Sequence, residues 1–277
     1  MQLVQHRPDV YERCGKDIVR LVWRHDGVDE LVGGVRFKPF SDETLQELID
    51  NHRRVTVRSI RRRAALQRWA YGTMTAAGVR QASGGRKGDT YAPYACHRGD
   101  TPDDIRALFR HAIFEDNDAL VEGAAGINKD MRKDLKTLTR KAGLTPFGKY
   151  GMSAYTCDGY LSPIHIDSDV GPRDLEASLK TARGALYPCM QLQKEGCGPN
   201  DYNFCYARWG IVVQTQSNTI WVFNGRDEHG TVMPSQGAVN GHAVSRGKHP
   251  TESSDSTNFE QLTSTGSKRS PNGLKYW

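Results

Sequence analysis

In the stretch SPIHIDSD, His165 and Asp167 stand two residues apart among apolar neighbours. Such alternation predicts a strand, and residues i and i+2 of a strand point to one face, so an imidazole and a carboxylate can converge on one ion. A chain with nine histidines can carry one such pair by chance, and a metal centre needs a further donor. His229 offers it, 64 residues downstream at the end of WVFNGRDEHGT and just after an apolar run. Two histidines and one carboxylate form the facial set that holds non-haem iron with positions open for oxygen and a co-substrate. A structural zinc site would fill its fourth position with another protein ligand. Two further readings use the same residues: a zinc or cupin-like metalloprotein, or no metal at all, with His165 hydrogen-bonded within a sheet, Asp167 capping a turn and His229 steadying a loop.

These positions resemble the pattern of the iron(II) and 2-oxoglutarate dioxygenases, which is HxD, a distal His, then an Arg pairing with the far carboxylate of 2-oxoglutarate. The matching residues are His165, Asp167, His229 and Arg246, the last in AVSRG, 17 residues beyond His229. That long gap, the distal HGT, and the stretches GKYGMSAYTCDGY and DYNFCYARWGI are similar to the TET/JBP-like branch of fungal type. The resemblance covers residues 148–247. It implies an α+β fold whose core is a double-stranded β-helix (jelly-roll, cupin-like), with Fe(II) on His165, Asp167 and His229. It also implies 2-oxoglutarate as co-substrate, molecular oxygen as partner, and oxidation of a methylated nucleobase, 5-methylcytosine in DNA. Arg246 would grip the distal carboxylate with a two-pronged donor that Lys cannot match. Two positions depart from the pattern. Lys248 stands two residues after Arg246, where the family carries Ser or Thr, which leaves Ser245 as the available hydroxyl. Lys248 and Arg226 are alternative partners for the carboxylate.

The segments around this set divide the chain into an N-terminal part, 1–147, of strands and basic helices, a β-rich part, 148–247, and a polar tail, 248–277. Together, 1–247 read as one domain. Up to residue 40 the apolar stretches LVQH, IVRLVW and LVGGVRF read as strands broken by DG and GG. A helix is predicted from Ser41 through SDETLQELIDNHRR, and another from Thr101, where Pro102 and Asp103 suit the first turn. A basic helix follows in DMRKDLKTLTRKAG, ending at Gly143. In the β-rich part FCYARWGIVVQTQ and TIWVFNG, joined at Ser217 and Asn218, suit a hairpin, with Trp209 and Trp221 as core residues. Tyr150, Tyr155, Tyr160, Asn203 and Asn224 are candidates for holding a base.

Between Asn51 and Lys87 the chain carries Arg53, Arg54, Arg58, Arg61, Arg62, Arg63, Arg68, Arg80, Arg86 and Lys87 and no acid. Trp69 and Tyr71 lie among them, so phosphate attraction and base stacking are both available, and these cations, Arg80 apart, are the candidate nucleic-acid contacts. The alternative is a solvated helix face. Net charge over the whole chain is only +6, which names no partner. No CxxC pair, GxSxG elbow or GxxxxGK[ST] loop occurs, which argues against a zinc finger, a serine hydrolase and a P-loop enzyme. The six cysteines read as free thiols, and no apolar run has membrane-spanning length. An intracellular protein is expected, nuclear if DNA is the substrate. Three functions follow: a nucleobase dioxygenase, a hydroxylase of a small metabolite, amino acid or protein side chain on the same centre, or a non-catalytic nucleic-acid-binding protein.

Overall fold

The computed structural model describes residues 3–4, 10–58, 72–77, 79–80, 92–93, 101–141, 150, 152–157, 159–167, 186–235 and 242–249, with 242–249 described through the backbone. Arg61, Arg62, Arg63, Arg68, Trp69, Tyr71, Arg86, Lys87 and the tail from 250 onward lie outside these residues.

Strands β1 (Leu3–Val4), β2 (Val10–Cys14), β3 (Ile18–His25) and β4 (Val28–Phe37) open the chain. Between β3 and β4, Asp26 and Gly27 have φ of 50° and 76°. Two left-handed residues match the twist of a tight hairpin, so the DG pair is a turn, as its residue types predict. The GG pair does not break a strand. Gly33 and Gly34 lie inside β4, at a place where the neighbouring layers come too close for side chains: a Cβ on Gly33 would stand 2.6 Å from the Tyr206 ring, and one on Gly34 2.5 Å from Ile127 Cγ2.

Helix α1 (Asp42–Arg58) begins at Ser41, whose Oγ accepts the Thr44 N–H at 3.3 Å, and Asp42 and Glu43 fill the positive first turn. Three short strands follow, β5 (Thr73–Ala77), β6 (Val79–Arg80) and β7 (Ala92–Pro93). Thr101 and Asp104 then close a capping box on α2 (Pro102–Phe109), which continues through a π-helical turn, Arg110–Glu115, into α3 (Asp116–Ala125). The basic helix is α4 (Met131–Lys141), with Met131, Leu135 and Leu138 buried. Arg20 donates to the Gly126 and Ile127 carbonyls and Arg36 to the Gly123 carbonyl, so two cations from the sheet hold the negative end of α3. No helix among the described residues is long and apolar enough to cross a membrane.

The remaining strands are β8 (Met152–Cys157), β9 (Tyr187–Glu195), β10 (Phe204–Tyr206), β11 (Ile211–Val213), β12 (Thr219–Phe223), β13 (Gly230–Thr231) and β14 (His242–His249). An eight-stranded antiparallel sheet runs β2-β3-β4-β12-β9-β14-β8-β5, and a four-stranded one runs β1-β11-β10-β13. Strand β12 is buried throughout because both of its faces are covered. On one side Ile220 meets the helix layer, where a Cβ on Gly123 would stand 2.6 Å from Ile220 Cδ1. On the other, Trp221 and Phe223 meet Phe204 of the small sheet, with ring centroids 5.3 and 5.1 Å apart. Trp209 and Trp221 both lie in this core, as expected.

The expected hairpin between FCYARWGIVVQTQ and TIWVFNG does not form. β11 pairs with β10 and β1, whereas β12 pairs with β4 and β9, so the connection at Ser217 and Asn218 crosses from the small sheet to the large one. Asn218 anchors that crossing at φ 60°. Its carbonyl accepts the Lys38 N–H, and its side chain donates to the Phe40 carbonyl at 2.8 Å. A continuous core demands both sheets, and that requirement overrides the local hairpin signal.

Candidate metal centre

His165 and His229 face each other across an isolated antiparallel bridge. Each backbone donates to the other's carbonyl, at 2.9 and 3.0 Å. Directly opposed residues put their side chains on the same side, and the two imidazole centroids lie 4.4 Å apart. Asp167, two residues on, returns to that side, and its N–H donates to the Gly225 carbonyl at 2.8 Å. Its carboxylate lies 3.2 Å from His165 Nε2 and 3.5 Å from His229 Nε2. One ligand atom from each of the three residues can be chosen so that all lie within 4.8 Å of one another. The side chain of His165 is 29% exposed, against 10% for Asp167 and 6% for His229, so the set opens on the His165 side.

The outer nitrogens settle which atoms point inward. His165 Nδ1 lies 2.8 Å from the Pro163 carbonyl and 3.1 Å from Ser162 Oγ, and His229 Nδ1 lies 2.8 Å from the Asp227 carbonyl. A carbonyl only accepts, so the Nδ1 proton goes there and each Nε2 keeps its lone pair for the centre. With the Nδ1 atoms engaged by carbonyls, the two Nε2 atoms and the carboxylate form a donor set that a divalent cation could draw together. The three residues therefore fit a divalent metal of the kind that takes mixed nitrogen and oxygen donors.

Neighbouring residues make this arrangement possible. A Cβ on Gly225 would stand 3.0 Å from Asp167 Oδ2, and one on Gly230 would stand 3.1 Å from the backbone of Ile164. Those glycines let the 162–167 and 225–231 segments close together. Asp227 secures the turn before His229: its carboxylate accepts Trp209 Nε1–H at 3.0 Å and pairs with Arg208 at 3.4 Å, while the Asn224 carbonyl accepts the Asp227 N–H. Phe204 and Phe223 wall in the His229 ring at 5.9 and 4.4 Å.

Beside Phe204 a cavity of about 40 Å³ is lined by Thr156, Tyr160, Gln191, Tyr202, Trp221 and Thr231. Of the residues expected to hold a base, Tyr160 lines it. Tyr155 lies on the helix side against His52, Asn203 binds Lys194 and the Thr215 N–H, and Asn224 accepts the Arg226 N–H. Tyr150 is buried in the core.

In the strand register Ser245 stands opposite Gln191, whereas Arg246 stands opposite Met190 and Tyr155. Lys248 falls two further along β14, opposite Ser153. Among the candidate nucleic-acid contacts, Arg53 and Arg54 are exposed on α1, and Arg53 pairs with Asp50 at 3.4 Å. Arg58 ends α1.

Gly225, Gly230, Asp227, Gln191 and Tyr202 were missed by sequence reasoning. The two glycines flank the RDEH turn and were the one signal available. Gln191 and Tyr202 carry none, because their place at the cavity depends on strands far apart in the chain.

No family model and no curated protein matches the sequence. Among solved structures the chain is similar to NgTET1 in complex with 5mC DNA, at 9% identity and a TM-score of 0.47, covering 89% of this chain and 85% of that one. It is also similar to a Pseudomonas putida prolyl-4-hydroxylase, at 10% identity and a TM-score of 0.42, covering 80% and 93%. HygX from Streptomyces hygroscopicus, with nickel, 2-oxoglutarate and hygromycin B bound, is similar at 11% identity and a TM-score of 0.40, covering 79% and 82%.

Proposed function

We propose that this protein is an iron(II)- and 2-oxoglutarate-dependent dioxygenase built on a double-stranded β-helix, and that it oxidises a methylated nucleobase, with 5-methylcytosine in DNA as the substrate to test first. The observation that carries the reading is the meeting of His165, Asp167 and His229 across a backbone bridge, with both Nε2 atoms turned toward the carboxylate. Iron(II) held there with 2-oxoglutarate and oxygen supplies oxidation of an unactivated C–H bond, with succinate as co-product.

This chain's own residues do the rest. His165, Asp167 and His229 would hold the metal, and as three protein ligands they would leave room for co-substrate and oxygen. The Pro163 and Asp227 carbonyls keep both Nδ1 protons outward, so the imidazoles bind as neutral ligands. The aromatic wall of Phe204 and Phe223 keeps water from the buried side of His229. Ser245 pairs with Gln191 in the backbone register, and Gln191 lines the cavity, so Ser245 is the hydroxyl proposed to meet the co-substrate. The cation for the far carboxylate of 2-oxoglutarate is Arg246, Lys248 or Arg226, and substitution of each to Gln with a 2-oxoglutarate titration separates them. A methylated base in a duplex must leave its stack to reach the metal, and Tyr160 stands at the cavity to meet it.

A second reading keeps the centre and replaces the base with a small metabolite or an amino-acid side chain. The Arg53–Asp50 pair favours it, because a cation already engaged on its own helix face is a weaker phosphate contact.

The test is succinate formation from 2-oxoglutarate with Fe(II) and a panel of methylated DNA, methylated RNA and small metabolites. Methylated DNA is expected to raise turnover, and His165→Ala and Asp167→Ala to abolish it. Turnover coupled to a metabolite and indifferent to DNA would replace the nucleobase reading with the second one. A chain that takes up no iron would end both.

A further inference from the structure

Helix α4 presents a second chemical surface that the metal centre does not use. Lys129, Arg132, Lys133, Lys136, Thr137 and Arg140 line one concave surface of about 410 Å³. Arg132, Lys133, Lys136, Thr137 and Arg140 recur at intervals of three and four, so they form one stripe along the helix, and Lys129 joins it from the turn just before α4. Eleven residues at 1.5 Å each make that stripe about 16 Å long. The one acid in α4, Asp134, is buried and takes no part in the stripe. Glu122 pairs with Arg132 at 2.9 Å, and Asp118 also acts on that guanidinium. Five cations thus line the surface, and they outnumber the carboxylates Glu122 and Asp118 that act on Arg132.

We infer that this stripe is a mount for the sugar-phosphate backbone of a nucleic acid, remote from the metal centre and independent of what that centre oxidises. Three observations choose this partner. First, the apolar side of α4 is already spent, since Met131, Leu135 and Leu138 lie in the core, and the residues lining the stripe include no large apolar side chain. A membrane-surface helix needs a free apolar face, and a protein partner is normally anchored by aromatic or aliphatic side chains. Phosphate binding needs neither. Second, duplex DNA carries one charge per about 1.7 Å of axis, a density that can engage every cation of a 16 Å stripe together. Third, the surface is held rigidly. α4 packs with α3, and Arg20 and Arg36 clamp the end of α3 to the sheet.

The stripe belongs to the helix layer, whereas His229 packs against Phe204 and Phe223 on the opposite face of the large sheet. A strand held on α4 is therefore gripped away from the reacting position, and loss of that grip should weaken binding without altering the metal site.

The experiment is fluorescence anisotropy of the full chain with short labelled duplex and single-stranded DNA and RNA across a salt series. It compares the natural chain with a Lys129→Gln, Lys133→Gln, Arg140→Gln variant and with a Lys129→Arg, Lys133→Arg variant. Gln keeps helix propensity and removes charge at three exposed positions, and circular dichroism checks the fold. The Gln variant is expected to bind at least about tenfold more weakly, with the slope of log K against log salt reduced by about 1 for each lost phosphate contact. The Arg variant is expected to bind as the natural chain does. Equal affinity and slope in the Gln variant would overturn the proposal, as would a natural chain that retains no nucleic acid, or one that binds polyglutamate or anionic vesicles as tightly. Metal uptake is measured on the same samples. Failure of uptake with α4-dependent binding intact would fall on the dioxygenase reading and leave this one standing.

Discussion

Asp167 can face both imidazoles because residue 225 has no side chain. A Cβ there would stand 3.0 Å from Asp167 Oδ2 and 3.1 Å from Asp167 Cβ, with Tyr187 at 3.2 Å behind it, so the carboxylate would have to shift. Gly225→Ala is therefore expected to weaken Fe(II) or Co(II) binding by about 10- to 100-fold, the range seen when the supports of metal ligands are disturbed. Anaerobic metal titration checks it, and unchanged affinity would mean the carboxylate is not a ligand. At this scale the candidate donors were legible in the sequence, because HxD and a distal His are statements about residue type and order. Gly225 was not, since its meaning comes from Asp167, 58 residues earlier.

At the scale of the elements, local chemistry decided the starts of helices and the turns. Ser41 and Thr101 cap α1 and α2 through hydrogen bonds to residues three positions on. Asp26 and Gly27 make their tight turn. Each signal is complete within a few residues, which is why it could be read. The Gly33–Gly34 pair shows the opposite case. Its composition predicts a break, yet both residues continue β4, one beneath Tyr206 and the other beneath Ile127. Gly33→Ala is expected to destabilise the fold by about 1–3 kcal/mol through overpacking against the Tyr206 ring, measured as a lower midpoint in urea. A midpoint equal to that of the natural chain would show that the two sheets can separate there at no cost.

Across the whole molecule, the candidate metal centre joins two segments far apart in the chain, 162–167 and 225–231. A metal bound by the native state alone stabilises it by mass action, about 2.7 kcal/mol when its concentration is 100 times Kd. Thermal unfolding with Co(II) is expected to show a rise in Tm that Asp167→Ala removes, and a rise of the same size in that variant would place the metal elsewhere. The molecule also separates two chemistries, with the triad on the small-sheet side of the large sheet and the basic stripe of α4 in the helix layer behind it.

Read without coordinates, the chain already contained three side chains of metal-binding type that the fold brings together, the basic helix later seen as α4, and the caps of α1 and α2. Those features depend on residue type and on neighbours within one or two turns. Other features needed the folded chain: the His165–His229 bridge, the crossing at Asn218 that replaced a hairpin, the cavity beside Phe204, and the register that sets Ser245 opposite Gln191. Strand register and layer order are set by which distant apolar faces can be buried together. No window of neighbouring residues contains that information.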